Sequence, residues 1–177
     1  MKPTVYILFA LVIVLFSCKK DSEVVPSTKG YSYAGLTVGK YVIYDVDSIF
    51  YDDFDQSTNY FYFQIKELIQ SKYIDAEGEE AYRIERYKKD TAVSPNFELQ
   101  VVWNSKITPT TYQKVENNER FVKLIFPVKQ GKTWNGNSLN NRSAWEYECV
   151  SAHTPEQIGG IGLDSVATVT QFDDGDE

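Results

Sequence analysis

Histidine is nearly missing from this sequence, which has one copy, His153, in 177 residues. Zinc sites draw three or four ligands mainly from histidine and cysteine; because Cys18 has a separate predicted role, described below, one histidine and one cysteine are left, which are too few. A Ser-His-Asp relay would have to use His153, yet the sequence has no G-x-S-x-G elbow. Thr154-Pro155 predicts a loop here, so we expect a solvated histidine, no catalytic residue, no metal and no cofactor.

Positive charge is also scarce. The chain has 18 Lys and Arg against 25 Asp and Glu, which gives a formal net charge of −7. Lys19-Lys20 and Lys88-Lys89 are doublets and not patches. Because nucleic-acid binding depends on a basic patch, the composition argues against nucleic acid and against electrostatic attachment to anionic lipid.

An apolar run long enough to cross a bilayer is absent as well. Val5–Phe16 is about a dozen residues long, whereas a membrane-spanning helix needs about 20. Lys2 precedes this run and the small Ser17 follows it, which is the pattern of a secretory signal peptide. We predict a cleaved leader over residues 1–17, with a buried N-terminal helix as the alternative.

The two cysteines have separate predicted roles and do not make a disulfide framework. Leu15-Phe16-Ser17-Cys18 resembles the lipobox of bacterial lipoproteins, which implies that Cys18 becomes the acylated N terminus. Two or more acyl chains hold a protein stably on a membrane. Cys149 lies in the alternating run Trp145–Cys149, where we expect it to be a small buried hydrophobe.

Residues 18–32 are polar and predict an acylated flexible tether on an outer-membrane lipoprotein. Within it, Lys19–Glu23 is similar to export signals of Bacteroidetes surface lipoproteins. A merely solvated tether would have the same composition. The periplasmic face and the cell surface therefore both stay open as locations.

The rest of the chain alternates apolar and polar residues with a period of two, the pattern of β-strands. The alternation is clear in Tyr41–Ser48, and Tyr60–Ile69 is a long aromatic and β-branched run. The pattern continues in six further segments: Tyr82–Tyr87, Phe97–Trp103, Thr111–Val115, Phe121–Phe126, Ala144–Val150 and Ser165–Phe172. Turn residues separate such runs, as in Ser94-Pro95-Asn96 and Gly159-Gly160. Phe63–Tyr73 also has helical spacing, but its aromatic start favours a strand.

Long antiparallel strands with aromatic residues on one face must curl to bury that face. We therefore predict an all-β domain over residues 33–177, a strongly twisted antiparallel sheet that forms a half-barrel or open barrel.

Two segments resemble the shared blocks of an uncharacterised family of Bacteroidetes lipoproteins. Gly35–Ser48 is similar to the G-x-Y-x-x-Y-x-V-D-S opening of that family, and Phe126–Asn137 to its F-P-V-K-x-G-K-T-W-N-G-N block. The family has no known function, so the resemblance implies no site residues. Its members continue with further strands, which implies that this chain lacks C-terminal strands and ends at an unpaired edge.

Acidic residues offer two further hypotheses. Asp52–Asp55 and Asp173–Glu177 could supply oxygen ligands to calcium, but neither matches the EF-hand loop, so we expect solvated turns. A glycan hydrolase would need two carboxylates that face each other across a cleft. The strand acids available for such a pair are Glu67, Glu85, Glu98 and Glu146.

Aromatic residues make up 15% of the chain. Exposed rings can stack on sugars, and the eligible platform residues are Trp103, Trp134, Tyr60 and Tyr62, although core packing would use such residues equally well. We predict a non-catalytic binding or interaction module that is attached to the membrane through Cys18 and takes a glycan, lipid or protein ligand. The alternative is a glycan-acting hydrolase.

Overall fold

The part of the chain that the structure describes is built mainly from β-strands. The computed structural model describes residues 29–90 and 93–171. These ranges open with a short 3-10 turn at Tyr31–Ala34. They hold nine strands: β1 (Tyr41–Asp52), β2 (Ser57–Ile74), β3 (Glu80–Asp90), β4 (Glu98–Ile107), β5 (Thr111–Glu116), β6 (Glu119–Ile125), β7 (Thr133–Asn135), β8 (Glu146–Ile158) and β9 (Ile161–Thr170). No helix within the described ranges has the length and apolar character needed to span a membrane.

The first six strands form one antiparallel sheet in which each strand pairs with the next along the chain. This sheet curls into a half-barrel, which confirms the predicted fold class. Register shifts interrupt three of its pairings, at Ile69/Ser71, Arg86/Tyr87 and Tyr112/Gln113. Because a bulge bends its strand and increases the local twist, these irregularities help the sheet to curl.

The last three strands form a second antiparallel sheet in the order β7-β8-β9. The sequence predicted one sheet and did not predict this second one. β7 spans only Thr133–Asn135, which is too short to show an alternating pattern. The predicted strands Ala144–Val150 and Ser165–Phe172 correspond to the first part of β8 and the second part of β9, but no local signal indicates that they leave the first sheet.

The segment Phe63–Tyr73, whose sequence fits either a helix or a strand, lies within β2. This strand runs from Ser57 to Ile74 and pairs with β1 on one side and β3 on the other. The strand prediction for Phe63–Tyr73 is therefore confirmed. Aromatic and β-branched side chains fit the pleated surface on both sides of this central strand.

The hydrophobic core lies where the second sheet covers the end of the first. Its buried members are Leu124, Phe126, Val128 and Cys149. Partly buried side chains surround them: Tyr31, Tyr33, Ile107, Tyr112, Trp134, Ala152, Ala167 and Val169. Cys149 is a free thiol with 1% of its surface exposed, which confirms its predicted role as a buried hydrophobe.

The loop predicted at His153 is wrong. His153 lies within β8, between the register shifts at Ser151 and Thr154, and its backbone is left-handed with φ of 60°. Its Nδ1 lies 2.8 Å from the Tyr33 hydroxyl, which also lies 2.5 Å from Ser165 Oγ on β9. These contacts tie the 3-10 turn to the second sheet.

Candidate functional site

Side chains from four neighbouring strands share the concave face of the half-barrel. The strand register places Glu67 on β2 opposite Arg86 on β3. Ile84 precedes Arg86 by two residues on β3 and lies opposite Trp103 on β4. Lys114 on β5 lies opposite Ser105, which follows Trp103 by two residues on β4. Because side chains of alternate residues point to the same face, these residues all project into the half-barrel.

The curl of the sheet brings the ends of this row together. Lys114 Nζ lies 3.0 Å from Glu67 Oε2, although β3 and β4 separate their strands. In a flat sheet, three strand spacings would hold the two side chains about 14 Å apart and parallel. The ion pair therefore shows how strongly the sheet curls. We call Glu67, Arg86, Trp103 and Lys114 the floor of the concave surface.

Charges and a ring alternate along this floor. Glu67 Oε1 lies 3.6 Å from Arg86 Nε, and Lys114 Nζ also lies 3.3 Å from Glu116. The Trp103 ring centroid lies 4.6 Å from the Arg86 guanidinium and 4.7 Å from Lys114 Nζ. Trp103 is buried under these two cations, in a cation–π arrangement.

Burial and neighbouring charges shift the pKa values of Lys114, Tyr44 and Tyr112, which line the concave face. Burial lowers the pKa of Lys114, but the attraction of Glu67 and Glu116 outweighs it, so this pKa is raised. Burial, with the nearby charge of Glu67, raises the pKa of Tyr44, and burial raises that of Tyr112. At neutral pH the groove therefore carries a permanent cation and neutral phenols.

Above this floor lies a groove of about 380 Å³. Its apolar and aromatic lining includes Val42, Tyr44, Ile69, Ile84 and Tyr112, and Tyr33 and Gly35 border it from the N-terminal segment. A second depression of about 340 Å³ lies on the same face. It is lined by Arg86 and by the apolar residues Val46, Phe63, Ile65 and Val101. Volumes in this range suit small-molecule binding sites.

The chemistry of the groove suits binding more than proton transfer. Each oxygen of Glu67 faces a cation, so the carboxylate is occupied by Arg86 and Lys114. Apolar walls beside paired charges would accept a ligand that has a flat apolar face and a hydrogen-bonding edge. Tyrosine side chains can contribute both kinds of contact.

The four predicted platform residues do not lie on one surface. Trp103 is buried in the concave floor, and Trp134 on β7 donates from Nε1 to the Val122 carbonyl at 2.9 Å. The Trp134 ring packs against Tyr147 at 5.8 Å between centroids. Tyr60 and Tyr62 are about three-fifths exposed and share the convex face of the β1–β2 hairpin. Only these last two are brought together.

The candidate acids do not converge either. Glu85 lies opposite Leu68 and therefore on the face of the sheet that Glu67 does not use. It contacts Arg83 at 3.1 Å and accepts a hydrogen bond from Tyr87. Glu98 is exposed at the start of β4, and Glu146 belongs to the second sheet. No pair across a cleft arises among these four residues.

Sequence reasoning missed a charge cluster at the turn between β2 and β3. Asp75, Glu77 and Glu79 place carboxylate oxygens within 4.8 Å of one another, a spacing that a metal ion could use. The ammonium group of Lys106 lies among them, 3.0 Å from Asp75 and 2.7 Å from Glu79, and also contacts Glu77. The alternating acids of the turn were the available signal, but nothing in the sequence points to Lys106.

Asp52–Asp55 forms the turn between β1 and β2, as predicted. Asp52 Oδ1 accepts from the Phe54 amide at 2.9 Å, and Asp55 Oδ1 accepts from the Ser57 amide at 2.9 Å. These are local turn contacts. The other acidic run, Asp173–Glu177, and the predicted lipidation site Cys18 lie outside the described residues.

Comparison with known proteins identifies no relative: no family model, no curated protein and no solved structure matches this chain.

Proposed function

We propose that this chain is a lipid-anchored, non-catalytic binding module of the cell envelope, whose concave groove takes a small ligand. The observation that carries the binding role is the groove itself, with the Lys114–Glu67 pair above Trp103 and tyrosine walls on β1 and β5. The anchoring role rests on the leader and lipobox pattern that ends at Cys18.

The ligand class that fits is one with both a flat apolar face and polar edges. A sugar ring has this character, because its C–H face stacks on aromatic side chains while its hydroxyls bond to charged groups. An amphipathic lipid would also use the apolar walls. The glycan hydrolase is not proposed, because no two of its candidate acids face each other across the groove.

Ligand binding is tested by screening the full chain, purified in detergent, on a glycan array and against fluorescent fatty acids. We expect binding that Lys114→Met weakens by about tenfold, since each lost charged contact costs roughly 1–3 kcal/mol. The matched control is Lys66→Met, because Lys66 lies on the convex face near Tyr41 and Tyr87. Equal effects of the two variants, or no binding to either ligand class, would contradict a role for the groove.

The anchor is tested by metabolic labelling of cells with a clickable fatty acid. Wild type should be labelled and Cys18→Ala should not be. Cys149→Ala is the matched control, since it removes the other cysteine of the chain and should stay labelled. Retention of the label in Cys18→Ala would reject the assignment, as would an unlabelled wild type that still carries its leader.

A further inference from the structure

β1 is the first strand of the first sheet and lies at its edge. It pairs with β2 on one side, and within residues 29–90 and 93–171 no strand pairs with its other side. Its twelve residues pair with β2 from Tyr41↔Leu68 to Asp52↔Ser57 without a register shift. An edge of this kind presents unpaired backbone N–H and C=O groups at alternate residues.

β1 carries charged aspartates but lacks three other features that usually protect an edge strand. Such strands commonly carry proline, lysine or a bulge, which prevent another strand from adding to them. Tyr41–Asp52 contains no proline, lysine or glycine, and its pairing with β2 is free of bulges. Among the described residues, the edge is therefore long and regular, and no other strand pairs with it.

Apolar side chains on both faces of β1 are left half-exposed. Val42 and Tyr44 project toward the concave face, and Ile43 and Ile49 toward the convex face; all four are 43–52% exposed. A strand added beside β1 would cover both rows at once, since cross-strand neighbours lie about 5 Å apart. The exposure of Ile43 and Ile49, which lie outside the groove, thus fits an added strand.

The charge of this edge restricts its partner. β1 contains Asp45, Asp47 and Asp52, the following turn adds Asp53 and Asp55, and Tyr41–Gln56 contains no lysine or arginine. A second copy of β1 would bring like charges together in a two-fold antiparallel pair, which is destabilising. A strand with basic residues would instead complement the acids.

We propose that the β1 edge binds an extended segment of a partner protein, in which apolar residues alternate with lysine or arginine, as an additional strand of the first sheet. Backbone hydrogen bonds provide affinity in this mode, and side chains select the partner. The proposal does not depend on the ligand groove or on the lipid anchor.

The test uses a blocked synthetic peptide of alternating lysine and valine, as long as β1, with the full chain in detergent. Asp45→Lys/Asp47→Lys should weaken its binding by about tenfold or more at low salt, because it reverses the charge of the edge. The variant should bind a glutamate–valine peptide instead. Glu146→Lys/Glu148→Lys is the matched control: both acids are exposed and equally spaced, but β8 is paired on both sides. It should leave the affinity unchanged within about twofold.

Amide hydrogen exchange provides the second readout. The lysine–valine peptide should slow exchange in Tyr41–Asp52 and leave β9, an edge of the second sheet, unchanged. Any of four results would overturn the proposal. These are no binding, equal loss in the two charge variants, binding without protection of β1, and a concentration-dependent dimer that protects β1 without peptide, which would assign the edge to a second copy.

Discussion

Lys106 is a charged residue with only 4% of its surface exposed. Its position is explained by the turn that follows β2, where Asp75 Oδ1 accepts from the amides of Glu77 and Glu79 at 2.9 Å each. This turn points three carboxylates at one ammonium group. A buried lysine is thereby satisfied by partners that themselves remain partly in water.

We expect Lys106→Met to lower the free energy of unfolding at neutral pH by about 1–2 kcal/mol, because the three carboxylates would then repel one another without a cation. Methionine keeps most of the apolar stem, so the loss reports the charge. Lys72→Met is the control, since Lys72 pairs with Glu80 at 2.8 Å on an exposed surface and should cost less than about 0.5 kcal/mol. Urea denaturation measures both, and equal costs would contradict the cluster's role.

The cost of Lys106→Met should depend on pH at both ends of the range. The Glu79 amide, with Lys106, holds the pKa of Asp75 below its ordinary 3.8, so this contribution is present above that pH and is lost as pH falls through the folded value. Burial lowers the pKa of Lys106, but the three carboxylates raise it above its ordinary 10.5. That contribution is present below this pH and is lost as pH rises through the folded value. The difference from wild type should therefore be constant between about pH 5 and 10 and shrink outside it. A difference that did not vary with pH would count against the ion cluster.

At the scale of elements, the turn after β7 connects the two sheets. The Gly136 amide donates to the Trp145 carbonyl at 2.8 Å, and its carbonyl accepts from the Val122 amide at 2.9 Å. Gly136 can make these two hydrogen bonds beside the Tyr147 ring because it has no side chain. A Cβ at this position would lie 2.5 Å from Cζ of the Tyr147 ring.

Gly136→Ala should therefore destabilise the protein by about 1–3 kcal/mol, the usual cost of overpacking a filled site. Gly162→Ala is the matched control, since a Cβ on this β9 residue meets no atom within 4 Å and its backbone is not left-handed. It should change stability by less than about 0.5 kcal/mol. Thermal unfolding compares them, and an unchanged transition for Gly136→Ala would show that Tyr147 can move aside.

At the scale of the whole molecule, stability is distributed unevenly. Among the described residues, β3 pairs with β2 only as far as Phe63↔Asp90. The β1–β2 hairpin continues for six further pairs, from Asp47↔Tyr62 to Asp52↔Ser57, as a two-stranded ribbon. Phe54 at its tip is 99% exposed. An isolated pair of strands is only marginally stable in water.

Native-state hydrogen exchange should consequently be fast in Asp47–Tyr62 and slow in β4, β6 and β8, where Trp103, Leu124 and Cys149 are buried. The free energy of opening at the tip should fall below the global value by several kcal/mol, on the order of half of it. Mass spectrometry of peptic fragments resolves the two regions. Uniform protection across them would contradict this distribution.

The sequence by itself determined the type of structure at most positions. Period-two alternation predicted β1 through β6, turn residues separated them, and the burial of Cys149 followed from its place in an alternating strand. These features are local, because the pleat sets which side chains share a face. The leader and Cys18 are also read from sequence alone and stay predictions.

Only the tertiary structure decided which residues meet. Glu67 and Lys114 are 47 residues apart, and Asp75 and Lys106 are 31 apart. Their contacts depend on strand register and on the curl of the sheet, and a slip of one residue would move each side chain to the other face. The same non-local geometry buried Trp103, left Tyr60 and Tyr62 exposed, separated the candidate acids, and placed β1 at the edge of the first sheet.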